Sequence, residues 1–222
     1  MLANRHEKTA GSAALREQLQ HVYWIGGGSG AGKSTIARRI AAQYGLRLYS
    51  TDDVMADHAS RSTYKDSPLL QRFIAMDMDE RWVNRSPKTM LETFHWFHGE
   101  GFKLIIEDLL RLPREPRLIV EGFRLLPRLV EPLLAASAHA VWLLPTPAFR
   151  QAVIESRGGS AWGFLARASD PERALRNLLE RDRMFTDILR KETTQLELPA
   201  IEVDTAISED DFVKRVTQAF EL

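Results

Sequence analysis

The chain has 222 residues, enough for one substantial core or at most two small domains. Hydrophobic residues make up 44% and charged residues 27%, and basic and acidic side chains balance to a formal net charge of zero. That balance gives no electrostatic case for nucleic acid or an acidic membrane surface, and the lack of cysteine excludes disulfides and thiolate zinc sites.

The first residues carry no apolar h-region, and no run is long enough to span a bilayer, so a cytoplasmic location is expected. Residues 1–11 read as loosely attached and 12–20 as a short helix that Ser12 can cap, together an N-terminal extension. Val22, Tyr23, Trp24 and Ile25 open a buried strand over 22–26. Gly27, Gly28, Ser29, Gly30, Ala31, Gly32, Lys33 and Ser34 follow, with Thr35 behind them. This is the G-x-x-x-x-G-K-[ST] pattern of the P-loop. Ile36, Ile40 and Tyr44 then recur every four residues beside Ala37 and Ala41, one face of a helix. The pattern therefore joins a strand end to a helix start, the context it requires.

The loop predicts its own ligand. Small residues at 26–32 let successive N–H groups point inward, and the helix N-terminus adds partial positive charge where phosphate oxygens would sit. Lys33 brings a full charge to the terminal phosphates, and the Ser34 hydroxyl suits Mg²⁺. Residues 27–35 form the nucleotide-binding set, in which Thr35 packs or caps locally.

Leu46, Leu48 and Tyr49 suggest a second strand ending at Ser50-Thr51-Asp52-Asp53. Residues 54–85 read as short helices, and about 87–111 as a longer helical region bent at Gly99 and Gly101. Arg117–Glu121 and His139–Leu144 are the third and fourth strands. Thr146-Pro147 starts a helix that Gly158-Gly159 ends. Asp170-Pro171 starts another, carried by Leu175, Leu178, Leu179, Phe185 and Ile188. Pro199–Val203 is the fifth strand, and Ser208 with Asp211 forms a capping box for the last helix. Alternating strands and helices imply one parallel sheet covered on both faces, with ligands at the carboxyl ends of its strands.

Those strand ends gather the candidate chemistry. Asp52 leaves the second strand first and is the candidate base, or holds a metal-bound water. Asp53 reads as a cap for the following helix, and both aspartates acting as caps is the alternative. Glu121 ends the third strand and either holds Mg²⁺ or lies at the surface; Gly122 permits close approach of a ligand or backbone. Among the arginines after the fourth strand, Arg157, Arg181 and Arg183 are the candidate phosphate contacts, with the others paired to acids or solvated. Glu92, His95 and His98 have metal-like spacing but sit among Phe94, Trp96 and Phe97 without a fourth ligand. Trp82, Trp96 and Trp162 read as packing residues, with stacking on a ring-bearing substrate as the alternative.

With these pieces assembled, the chain resembles P-loop kinases of the nucleoside/nucleotide kinase-like group. The matching stretches are Gly26–Thr35, Ser50-Thr51-Asp52-Asp53 and Ile119-Val120-Glu121-Gly122. The resemblance implies a three-layer α/β/α domain over 21–222 whose five parallel strands run in the order 2-3-1-4-5. It also implies a mobile arginine-bearing lid in the 157–195 region and an acceptor-binding helical region over 54–111. The implied activity is Mg²⁺-dependent transfer of the γ-phosphoryl of ATP to a hydroxyl of a small-molecule acceptor. Lys33 and residues 27–35 would then hold ATP, Ser34, Asp52 and Glu121 would serve the metal, and Asp52 would deprotonate the acceptor. A regulatory nucleotide hydrolase and a non-catalytic nucleotide binder are the alternatives. No Asn-Lys-x-Asp base-reading motif and no Ser-Gly-Gly-Gln-like signature occurs in the chain.

Overall fold

The chain builds one five-stranded sheet from β1 (Val22–Gly27), β2 (Arg47–Ser50), β3 (Leu118–Glu121), β4 (Ala140–Pro145) and β5 (Ala200–Val203). The computed structural model describes residues 13–222, so the expectations for 1–11 and for Ser12 lie outside the described residues. All pairings are parallel and the order is β2-β3-β1-β4-β5, as the resemblance implies. Register aligns the strand ends: Ile25 and Ser50 both lie opposite Glu121.

Strand periodicity divides the core. Val22, Trp24, Val120, Trp142 and Leu144 face one layer; Tyr23, Ile25, Ile119, Val141 and Leu143 face the other. The second layer is α1 (Lys33–Tyr44) with Ile36, Ala37 and Ile40, joined later by the C-terminal helix with its inner face of Phe212, Val213, Val216 and Phe220. The first layer is more elaborate, because two insertions feed it.

Between β2 and β3 run α2 (Met55–Arg61), α3 (Pro68–Ala75), α4 (Met78–Trp82), α5 (Pro87–Thr93) and α6 (Phe102–Arg111). The helical region expected over 87–111 is three pieces: α5, a single turn at His95–His98, and α6; the chain turns between the last two at Gly99 and Gly101, the expected bend, and breaks once more before them. The chain breaks at Phe94 because its extended conformation turns the aromatic run inward; Phe94 and Phe97 are both buried. Then α7 (Pro127–Val130) leads towards β4, and α8 (Pro147–Ser156) follows β4 with Thr146 accepting from the Phe149 N–H, the predicted cap.

Next comes α9 (Pro171–Gln195), capped by Asp170 through the Arg173 N–H. The region expected as a lid thus divides in two. Residues 157–170 are short turns, whereas Phe185 and Leu189 of α9 pack in the sheet core. Finally α10 (Glu209–Ala219) starts at Ser208, whose Oγ accepts from the Asp211 N–H and donates to the Asp211 carboxylate, so the expected box closes through side chains. Residues 13–18 are helical, and Leu19 behind them is 1% exposed in the core, so this part of the N-terminal extension is built into the sheet layer. Among the described residues, no helix is long and apolar enough to cross a membrane.

Gly122 is where the strand ends meet. Its φ is 150°, and a Cβ there would overlap Thr51 Oγ1. The close approach anticipated at this glycine is therefore that of the β2 terminus. Gly122→Ala is expected to cost about 3 kcal/mol, since neither the strand nor buried Thr51 can move freely; urea unfolding measures it, and a loss below about 0.5 kcal/mol would refute the packing argument.

Candidate functional site

The loop after β1 curls back on itself before α1 begins. Gly28 lies past the strand end, with its N–H on Leu143 O at 3.0 Å, and Gly32 is the N-cap of α1. Ser29, Gly30, Ala31, Gly32, Lys33, Ser34 and Thr35 line a cleft of about 410 Å³. Gly27 does not reach it: this residue is the last of β1, paired with Leu143. Lys33 is 7% exposed, and its Nζ donates to Gly28 O at 2.7 Å. Burial lowers its pKa, while Glu121 and Asp52 act in the opposite direction.

The acids divide by environment. Glu121 is 1% exposed, not a surface residue. Its Oε1 accepts from Ser34 Oγ at 3.0 Å and Ser50 Oγ at 2.7 Å, and its Oε2 is buried without a partner. Asp52 lines the cleft, solvent-accessible yet crowded; desolvation raises its pKa, Lys33 opposes the shift and Glu121 adds to it. Asp53 is exposed and caps nothing: the N-cap of α2 is Val54, which makes no side-chain cap bond, so the cap reading fails for both aspartates. The turn at 51–54 spaces them away from the helix start.

Behind this turn Arg124 is 2% exposed, donating to Thr51 O at 3.3 Å and Gly101 O at 3.2 Å. Its Nη2 also lies 3.0 Å from His58 Nδ1. Because an arginine can only donate, Nδ1 accepts and His58 donates through Nε2 to Asp108 at 2.7 Å. Desolvation lowers the Arg124 pKa to about 10. This network anchors the backbone immediately before Asp52.

The three arginines chosen from sequence do not share one fate. Arg181 lines the cleft at 5% exposure, with Nε and Nη2 on Asp182 Oδ1. Arg157 lines it while exposed, its guanidinium 5.2 Å from the Trp162 ring centre. Arg183 points elsewhere: it is exposed, paired with Glu180 and Asp187 on its own helix, and lines a neighbouring groove.

Arg150 occupies the position that Arg183 does not. Its Nε and Nη2 bind Asp182 Oδ2 at 3.0 and 2.7 Å, and its Nη1 is buried without a partner. That nitrogen would lie 2.8 Å from a Cβ on Gly30, whose φ of 73° already demands glycine. One carboxylate is therefore shared by two guanidinium groups, which leaves excess positive charge against the phosphate loop. The sequence does contain a trace of this. Leu178, Asp182, Phe185 and Leu189 lie on one helical stripe, and an aspartate on an apolar stripe needs a buried partner. Asp182→Ala is expected to destabilise the fold by about 3–5 kcal/mol, because it strands two buried cations; chemical denaturation reads this, and an unchanged midpoint would contradict it.

The rest of the cleft is aromatic. Trp82, Trp96 and Trp162, read from sequence as packing residues, all line it, with Phe73, Phe94 and Phe123. His95 is 1% exposed, makes no hydrogen bond through either ring nitrogen, and has its pKa pushed down to about 3 by burial. Among the described residues, no group of three or more histidine, cysteine, aspartate or glutamate side chains could hold a metal, so Glu92, His95 and His98 form no such site.

A family model described as an AAA domain matches residues 26–101, from the phosphate loop into the first insertion. That match and the observed sheet order agree with the P-loop kinase-like resemblance read from the sequence. No curated protein matches the chain. Among solved structures, deoxyadenosine kinase from M. mycoides with bound dATP is 12% identical at a TM-score of 0.47, over 90% of this chain and 99% of that one. TT1252 from Thermus thermophilus is 20% identical at a TM-score of 0.46, over 89% and 94%.

Proposed function

We propose that this protein transfers the γ-phosphoryl group of ATP to a hydroxyl of a small metabolite, with Mg²⁺. The observation that carries the reading is one cleft of about 410 Å³ that joins a phosphate loop, the Asp52 carboxylate and a ring-lined half with room for an acceptor. A hydrolase needs the first two only. A second groove of about 370 Å³ meets the loop from the β4 side, sharing Ser29, Arg150 and Asp182 with the cleft. It offers the nucleoside end of ATP a place apart from the acceptor.

The residues fit the metal they would serve. Ser34 Oγ and the unpartnered Glu121 Oε2 are hard oxygen donors beside the loop, and Mg²⁺ takes few protein ligands where phosphates complete its shell. Ser34 would hold it directly, with Glu121 and Asp52 acting through water. Bound there, Mg²⁺ would neutralise charge on the phosphate oxygens.

This chain's own groups supply the remainder. Loop N–H groups and Lys33 hold the β- and γ-phosphates, and Lys33 exchanges its internal bond to Gly28 O for phosphate. Arg150 presents its free Nη1 to the same phosphates, with Arg157 and Arg181 flanking the transfer path; Arg183 has no part in it. Asp52 accepts the acceptor's proton as the hydroxyl oxygen bonds to the γ-phosphorus. The bridging β–γ bond breaks, and its electron pair leaves with ADP.

The test is a γ-labelled ATP transfer assay across alcohols, sugars, nucleosides and acids. Label appearing in an organic phosphate supports the reading; label released only as inorganic phosphate, at a rate no acceptor changes, refutes it.

A further inference from the structure

The two halves of the cleft differ in chemistry. Main chain, Lys33, Ser34 and Arg150 build the phosphate half; seven aromatic rings, from Phe73, Trp82, Phe94, Trp96, Phe123, Trp162 and Phe164, wall the other. The rings hold one another edge to face: Phe73 with Trp82 at 5.8 Å, Phe94 with Trp96 at 5.6 Å, and Trp96 with Phe123 at 5.6 Å. Such contacts preorganise the wall, since each ring is positioned by a neighbour before any ligand arrives.

What is missing from the wall is as informative. Among the described residues, no asparagine, glutamine, histidine or tyrosine lines the cleft. A nucleoside base is read through its hydrogen-bonding edge, and a sugar carries a hydroxyl on nearly every carbon. Either one, buried against these rings, would leave polar groups unpaired. Two guanidinium groups lie among the rings: that of Arg157 is 5.2 Å from the Trp162 ring centre at the exposed rim, and Arg181, embedded deeper, is already engaged. Two of its nitrogens bind Asp182, and its guanidinium lies 4.8 Å from the Phe94 ring centre and 5.3 Å from that of Trp82.

We infer that the acceptor is a flat, apolar, ring-bearing alcohol with few polar groups besides the hydroxyl that receives the phosphate. This inference rests on the phosphotransfer proposed above and names its substrate class. The rings stack on the acceptor's body, and its hydroxyl reaches Asp52, which lines the same cleft as both the chamber and Lys33. In the transfer, the hydroxyl oxygen gains the bond to phosphorus, Asp52 takes the proton, and ADP leaves with the electron pair.

The chain's own tryptophans test this. Trp82, Trp96 and Trp162 line the cleft, whereas Trp24 and Trp142 are buried in the sheet, so fluorescence quenching reports the chamber. The full chain, with ADP and Mg²⁺ present, is titrated with benzyl alcohol, 2-phenylethanol, adenosine and glucose, with calorimetry alongside. Saturable binding of the two ring alcohols alone is expected. Trp162→Ala, on a half-buried turn, should weaken it about ten-fold, the equivalent of one lost stacking contact, with ADP affinity unchanged. Trp96→Phe, which keeps a ring, should bind nearly as the parent does.

Tighter binding of adenosine or glucose overturns the inference. So does failure of both ring alcohols to bind, or indifference to Trp162→Ala. Ring-alcohol binding without any phosphoryl transfer supports the chamber's specificity and refutes the phosphotransfer reading; transfer to a sugar or nucleoside does the reverse.

Discussion

Lys33→Ala is expected to cut ATP turnover by about a thousand-fold while leaving cooperative unfolding intact. The ammonium group is held at the loop without being needed by the fold. It is nearly buried, its bond goes to the carbonyl of Gly28 within the same loop, and burial disfavours its charge. A buried base with a lowered pKa binds fewer protons folded than unfolded. Its charge therefore lowers stability at pH values below the folded pKa, and the loss is relieved as pH rises towards the unfolded value. Removing the group takes away that penalty together with the catalytic charge. The measurement pairs an ADP-release assay with thermal unfolding. Normal turnover by the alanine variant would end the proposed role of Lys33, and a lost unfolding transition would mean that Lys33 is structural.

Asp52→Asn separates chemistry from binding. Transfer to the acceptor is expected to fall about a thousand-fold, the usual scale for losing a general base, while affinity for ATP stays within about three-fold, less than one pair of charges at a screened surface would contribute. The raised pKa gives a second signature. The base acts only when ionised, so the acid limb of kcat lies at higher pH than an ordinary carboxylate would give, and it disappears in the asparagine variant. Stability shifts in a definite direction. A carboxyl whose folded pKa is raised binds more protons folded than unfolded, so it costs stability as pH rises from the unfolded pKa through the folded one. Asp52→Asn should therefore melt higher than the parent at neutral pH and equally in acid. Full transfer activity in this variant, or an unmoved acid limb, would remove Asp52 from the mechanism.

Arg181 and Arg183 show where sequence reading loses resolution. They are two residues apart on a helix, hence about 200° around its axis. Arg181 enters the cleft beside Asp182, while Arg183 meets Glu180 and Asp187 on the outer face. Composition treats them alike; only the facing partner tells them apart. The same holds for Arg150 and Asp182, which are 32 residues apart and meet only because α8 and α9 pack together at the loop. The tryptophans were legible in part: Trp82 is buried in a core cluster and Trp96 and Trp162 pack against the core, as expected, yet all three also line the cleft. Aromatic residues near an apolar run are ordinarily core, and nothing local distinguishes a ring that fills the interior from one that walls a cleft.

The sequence by itself determined the phosphate loop, the parallel sheet and the strand ends at which chemistry gathers. Each is written in contiguous residues whose local physics is nearly self-sufficient: small residues that curl, a helix that starts at Lys33, and apolar runs that must be buried on both faces. The tertiary structure alone decided which arginine faces the loop, that Asp52 leads into a turn and not into a helix cap, and that seven aromatic rings line the same cleft as the loop. Those outcomes depend on how separate elements pack. Periodicity tells a residue that it is inside, but not which neighbour it will meet there.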